Sequence, residues 1–147
     1  MSVNPDYKDL FTIFNSEKIE YLVVGAHAVI FYAEPRYTKD IDVWVNTSNE
    51  NAEKVWKALE IFGAPVENIS VSDFTDTTMI YQIGIEPNRI DILMGIAGVN
   101  FNDAYSHAVQ STYGEVPVKI LSKEDLIKSK LAAGRKQDLL DIENLNR

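Results

Sequence analysis

The chain has no cysteine among its 147 residues, which excludes a disulfide framework, thiol catalysis and a cysteine-type zinc site and suits a reducing compartment. Basic clusters are also missing. With 14 Lys and Arg against 22 Asp and Glu, the net charge is -8, so broad capture of nucleic acid through many phosphate contacts is disfavoured. A metal-dressed nucleotide remains compatible, because divalent cations invert the sign of an acidic cleft. Long apolar runs are absent as well. The longest, YLVVGAHAVIFYA, is interrupted by Gly25 and His27 and falls short of the ~20 residues of a spanning helix. The start, MSVNPDYKDL, lacks the basic-then-apolar order of a secretory signal. These absences give the expectation of a soluble cytoplasmic protein with no membrane partner. No repeat, low-complexity tract or linker breaks the chain, and its length suits one domain over 1–147 with a buried core.

The pattern predicts a first helix over Asp6 to Lys18, capped at Asn4 with Pro5 in the first turn. YLVV then forms a buried strand, Gly25-Ala26 a tight turn, and His27 to Ala33 a helix stopped before Pro35. Ile41 to Val45 is the second strand. Ser48 or Asn49 caps a helix with the apolar stripe Val55, Trp56, Leu59 and Phe62, ending at Gly63. Residues 64–76 read as loop, with a short strand at Ile69 to Val71. Residues 78–85 form a strand, and RIDILM follows as an antiparallel neighbour across a short turn. Residues 101–109 are predicted helical and 116–121 a strand; Ser122 caps a helix to Ala133, and 135–146 form a last helix. This order indicates a mixed-sheet α/β (α+β) domain, with a sheet core over 1–121 and a C-terminal helical pair over 122–147.

RYTKDIDVWV carries the chemistry. Ile41, Val43 and Val45 face a core, so Asp40 and Asp42 emerge together on the other face with Cα atoms ~6.6 Å apart. In RIDILM, Asp91 likewise projects opposite Ile90 and Ile92. Any one of these aspartates alone reads as a solvated group or an ion-pair partner of Arg36, Lys39 or Arg89. Together they repel: two carboxylates ~6 Å apart at an effective dielectric of ~20 cost ~3 kcal/mol. Hard carboxylate oxygens suit Mg²⁺ or Mn²⁺, which bind with phosphate oxygens and water. Gly25-Ala26, closing a strand and opening a helix, offers backbone N–H groups and a positive dipole end to a phosphate, although many such turns use glycine for steric reasons only.

The stretch VVGAHAVIFYAEPRYTKDIDVWV resembles the signature of the polymerase-beta-type nucleotidyltransferase superfamily, and RIDILMGIAG resembles its third-carboxylate strand. The tail LSKEDLIKSKLAAGRKQDLLDIENL is similar to the C-terminal helices of its minimal AbiEii-like branch. The resemblance implies a nucleotidyltransferase-type sheet flanked by helices. It further implies transfer of a nucleoside monophosphate from an NTP to a hydroxyl acceptor, with release of pyrophosphate. Asp40 and Asp42 would hold the metal on the triphosphate. Asp91 would serve a second metal and the deprotonation of the acceptor. Gly25, Ala26 and Lys130 would contact the nucleotide. The family pattern prefers Gly-Gly or Gly-Ser at the turn, whereas Ala26 supplies no hydroxyl. The acceptor is left open between RNA, a protein side chain and a small molecule.

Other residues divide between roles. Lys130 reads equally as a rim lysine and as a phosphate ligand. Arg135, Lys136 and Asp138 match the family tail but serve equally in helix capping and ion pairing, and Asp141 reads as structural. His27 reads as a packing residue before a phosphate donor, His107 as solvent-facing, and Trp44 as core or rim before a base-stacking residue. Two rival functions fit parts of the pattern. A metal-dependent glycosyltransferase also uses Asp-x-Asp, but the chain is short for it and the third aspartate strand favours nucleotidyl transfer. A weakened nucleotidyltransferase acting as a binding module, such as a toxin-antitoxin component or adaptor with a partner protein, draws its support from Ala26.

Overall fold

The computed structural model describes residues 3–32, 40–85 and 88–146. Helix α1 (Pro5–Ser16) starts where Asn4 caps it, its side-chain oxygen accepting from the backbone N–H groups of Asp6 and Tyr7 at 2.9 and 3.4 Å. Its apolar face buries Tyr7, Leu10, Phe11 and Phe14. Phe11 and Phe14 each lie 5.7 Å from the ring of Tyr21, which opens strand β1 (Tyr21–Val24). Helix α2 (Gly25–Tyr32) follows without a linker; its predicted end at Ala33, and Arg36 and Lys39, lie outside the described residues. Strand β2 (Ile41–Val45) and helix α3 (Asn49–Phe62) come next, the helix capped by Ser48 and stopped at left-handed Gly63.

Strands β3 (Ile80–Ile83) and β4 (Ile90–Leu93) pair antiparallel, as predicted. Helix α4 (Phe101–Ser106), strands β5 (Val109–Tyr113) and β6 (Val116–Ile120), and helices α5 (Lys123–Ala133) and α6 (Lys136–Leu145) complete the described chain. The result is one six-stranded mixed sheet in the order β3-β4-β2-β1-β6-β5, flanked by helices.

Two local expectations are corrected. Residues 69–71 form no strand; a 3-10 turn spans Val71–Thr75 and buries Phe74 instead. The helix expected over 101–109 ends at Ser106, and Val109–Tyr113 is a strand hairpinned to β6. Gly114, at φ +61°, makes that tight turn possible.

Alternation sorts the sheet into two faces. Ile41, Val43, Ile90 and Ile92 are all at most 2% exposed. They face away from Asp42 and Asp91, because neighbouring strand residues project to opposite sides. On the face of Asp42, Trp44 is buried edge-to-face on Phe101 of α4 at 4.9 Å. Trp44 is therefore a core residue. Helices α5 and α6 pack on each other and on α2, which brings the C-terminal pair to the end of β1 and the start of β2.

Candidate active site

Strands β2 and β4 run parallel, and their register puts Asp42 directly opposite Asp91. The two segments that carry the acidic residues thus converge, as the repeated strand pattern requires. The carboxylates of Asp42 and Asp91 are close enough to interact. Burial pushes Asp42 up to about 7, with the charges of Asp91 and Asp40 adding to it and Arg89 opposing it. Asp91 itself is only 7% exposed.

Asp40 joins from the start of β2 through Arg89. The Arg89 guanidinium grips Asp91 with two bonds, Nε to Oδ1 at 2.9 Å and Nη2 to Oδ2 at 3.2 Å, and Nη2 also reaches Asp40 Oδ2 at 3.2 Å. The Arg89 backbone is held too. Its N–H donates to Asp40 Oδ1 at 3.3 Å, and its carbonyl accepts from Ile41 N–H and from the Tyr7 hydroxyl, each at 3.1 Å. Tyr7 is consequently close to the acidic group: burial, then Asp40, and more weakly Asp91 and Asp42, push its phenol up to about 12.

The three carboxylates are therefore neighbours but not a preformed ligand set. Among the described residues no three acidic or histidine side chains are arranged to hold a metal ion. Arg89 lies in the way, occupying both oxygens of Asp91 and one of Asp40. In donor chemistry the group still fits a hard divalent cation, since its ligand atoms are carboxylate oxygens and the repulsion that raises Asp42 would be relieved by positive charge.

Gly25 explains why the turn must be glycine. It sits at φ +67°, and a Cβ built there would lie 2.1 Å from Asp42 Oδ2. The Asp42 carboxylate thus rests against the first residue of α2, at the end of the helix where N–H groups are unspent on the helix itself. Beside it opens a cleft of about 230 Å³, whose lining includes Gly25, Asp42, Leu93, Ile96, Lys130 and Arg135. Ala26 and Asp91 are not among its lining residues.

Lys130 lines that cleft, yet its ammonium is committed to Asp141 at 3.0 Å and Asp138 at 3.4 Å, and the residue is 7% exposed. Asp138 also accepts two side-chain bonds from Arg135, at 2.7 and 3.2 Å, and one from its backbone N–H at 3.1 Å. Asp141 accepts from Gln137 at 2.8 Å. This cluster ties α5 to α6 and makes Asp141 structural. Arg135 keeps its side chain 77% exposed, close enough to Asp42 for the two charges to interact.

Sequence reasoning named Arg89 only as an ion-pair option and did not single out Tyr7. The signal for Arg89 was its place immediately before β4, two residues from Asp91. His27 packs against the rings of Tyr7 and Tyr113, and burial lowers its pKa. His107 is exposed, 3.6 Å from Asp125.

The fold is that of solved nucleotidyltransferase structures. The chain belongs to the family described as "Nucleotidyltransferase of unknown function (DUF6036)", which matches residues 3–146; the narrower AbiEii-like placement is not part of that match. Three solved structures share the fold. The lincosamide antibiotic adenylyltransferase LnuA, bound to lincomycin, is 19% identical with a TM-score of 0.59, over 99% of this chain and 98% of its own. TM1012, a nucleotidyltransferase candidate from Thermotoga maritima, is 17% identical with a TM-score of 0.63, over 97% and 93%. The antibiotic-resistance factor ANT(2'')-Ia is 13% identical with a TM-score of 0.64, over 95% and 80%. No curated protein matches the sequence. Among the described residues no helix is long and apolar enough to cross a membrane.

Proposed function

We propose that the protein is a divalent-metal-dependent nucleotidyltransferase that moves a nucleoside monophosphate from an NTP to a hydroxyl acceptor and releases pyrophosphate. The observation that carries this reading is the register pairing of Asp42, which lines the cleft beside the Gly25 turn, with Asp91. Asp40, Asp42 and Asp91 would hold Mg²⁺ or Mn²⁺, which supplies charge neutralisation on the triphosphate and activation of the acceptor oxygen. Asp91 is the carboxylate assigned to take up the acceptor proton. Gly25 and Ala26 present the helix N-terminus to the phosphates, and a Cβ at residue 25 would displace Asp42. Arg135 extends an exposed guanidinium toward the same anion. Lys130 acts behind it, fixing Asp138 and through it the Arg135 fork. Leu93 and Ile96 offer the apolar wall on which a base can rest.

The acceptor class remains RNA, a protein side chain or a small molecule. One structural relative is named an antibiotic adenylyltransferase and another an antibiotic-resistance factor, so small-molecule hydroxyls are the first acceptors to test. A second reading, a binding module of toxin-antitoxin or adaptor type consistent with an AbiEii-like origin, is favoured by Ala26 and by Arg89 seated among the carboxylates.

The test is label transfer from each of the four α-labelled triphosphates, with Mg²⁺ or Mn²⁺ and cell extract as acceptor source. Transfer is expected from at least one, and Asp42→Ala and Asp91→Ala should each abolish it while melting cooperatively. Equal transfer by either variant contradicts the assigned roles, and no transfer by a folded wild type favours the binding module.

A further inference from the structure

We infer that Arg89 is an exchangeable internal counter-cation, which occupies the carboxylates of Asp40 and Asp91 and must swing aside before a divalent cation can bind there. This rests on the metal-dependent reading above and adds to it a residue that sets how readily the metal enters.

The geometry separates a fixed part of Arg89 from a movable one. Three hydrogen bonds pin its backbone: its N–H to Asp40, and its carbonyl to Ile41 and Tyr7. The residue cannot shift as a unit without breaking them. Its side chain is different. The side chain is 28% exposed, and its guanidinium is attached to that anchored backbone by rotatable bonds. It engages both oxygens of Asp91 and one of Asp40, and these are the atoms a hard cation would need. A guanidinium and a divalent ion compete for them, because both draw on the carboxylate lone pairs and their charges repel at that distance.

Permanent occupation by Arg89 would suit a structural ion pair, as at Asp138, where the acidic partner is 1% exposed and reached by both Lys130 and Arg135. Asp40 differs: its side chain is 19% exposed. It sits at the strand entrance beside the cleft-lining Asp42, where an incoming ion can compete. Exchange therefore breaks the bidentate pair with Asp91 and the contact with the partly open Asp40, and leaves the backbone bonds that hold the strand start in place.

The experiment is a Mn²⁺ titration, free Mn²⁺ being read by its EPR signal, on wild type, Arg89→Gln, Arg89→Lys, Asp42→Asn and the Arg89→Gln/Asp42→Asn double variant. Melting curves check each fold. Arg89→Gln is expected to bind Mn²⁺ about tenfold tighter than wild type, a gain of ~1.4 kcal/mol. Arg89→Lys, which loses the planar fork but keeps the charge, should fall between them, so the result does not hang on Arg89→Gln folding. Unchanged or weaker binding by both Arg89 variants, with binding still lost in Asp42→Asn, overturns the exchange while leaving the carboxylate site intact. Binding that is equal in all five proteins, or absent from all, overturns both the exchange and the metal site on which it rests.

Discussion

Two clusters of charge lie at the same end of the molecule, and they are built on opposite terms. At the C-terminal helices, two cations, Lys130 and Arg135, meet two aspartates, Asp138 and Asp141, both at most 1% exposed. At the sheet, three aspartates gather around Arg89, and one of them, Asp42, is held far above the usual carboxylate range by burial and by its neighbours. The first cluster is a tie between helices. The second retains repulsion that the fold does not resolve by itself. Perturbed carboxylates clustered beside a cleft are candidates for ligand binding, and under the proposed function this difference separates the helix-tying aspartates from the metal-binding ones more clearly than burial does.

The largest expected effect breaks the tie. Lys130→Ala removes the ammonium shared by Asp138 and Asp141 and should cost ~3 kcal/mol or more, since it leaves buried charge poorly compensated. Asp42→Asn, at the repulsive cluster, should cost less than ~1 kcal/mol in metal-free buffer because it removes a desolvated charge from among like charges. Urea unfolding measures both, and equal losses would erase the contrast between the clusters. Next comes Gly25→Ala, expected to cost ~2 kcal/mol from the left-handed backbone and the collision with Asp42. Combining it with Asp42→Ala should recover part of that loss, a coupling that independent sites would not show.

Arg135→Ala separates the clusters by function. Its side chain is exposed but forks onto buried Asp138, so stability should fall by ~1–2 kcal/mol, less than for Lys130→Ala, while affinity for an NTP falls about tenfold by equilibrium binding. The smallest effect is at His27, between the rings of Tyr7 and Tyr113. Burial lowers its folded pKa from the ordinary 6.5, so the unfolded chain takes the proton first. Stability is fully present above 6.5 and declines as pH falls through the folded value. His27→Gln should flatten that acid-side decline in melting temperature; an unchanged pH profile would show that His27 does not contribute to it.

Much of this molecule is readable from residues 21–45 and 89–94, because a period of two fixes which side chains share a face. That period placed Asp42 and Asp91 on strands and set their direction, and the register then joined them. The helices were legible from Asn4, Ser48 and Ser122, caps whose bonds the structure contains. Strand β5 was not legible as such. Its VQSTY is short of apolar residues and adjoins a helical pattern, and only its pairing with β6 around Gly114 defines it. The seat of Arg89 was hidden for a related reason. A guanidinium at the end of a long side chain can reach several partners, and sequence cannot choose between Asp40, Asp91 and solvent.

The most direct measurement of the central claim is the melting temperature with and without millimolar Mg²⁺ and NTP, in wild type and Asp42→Ala. At about 100 times the dissociation constant, ligand adds ~2.7 kcal/mol to the folded state, equivalent to ~5 °C or more for a chain of this size. A rise of that order in wild type that vanishes in a folded Asp42→Ala is the predicted result. No rise in wild type, or the same rise in both proteins, would contradict it.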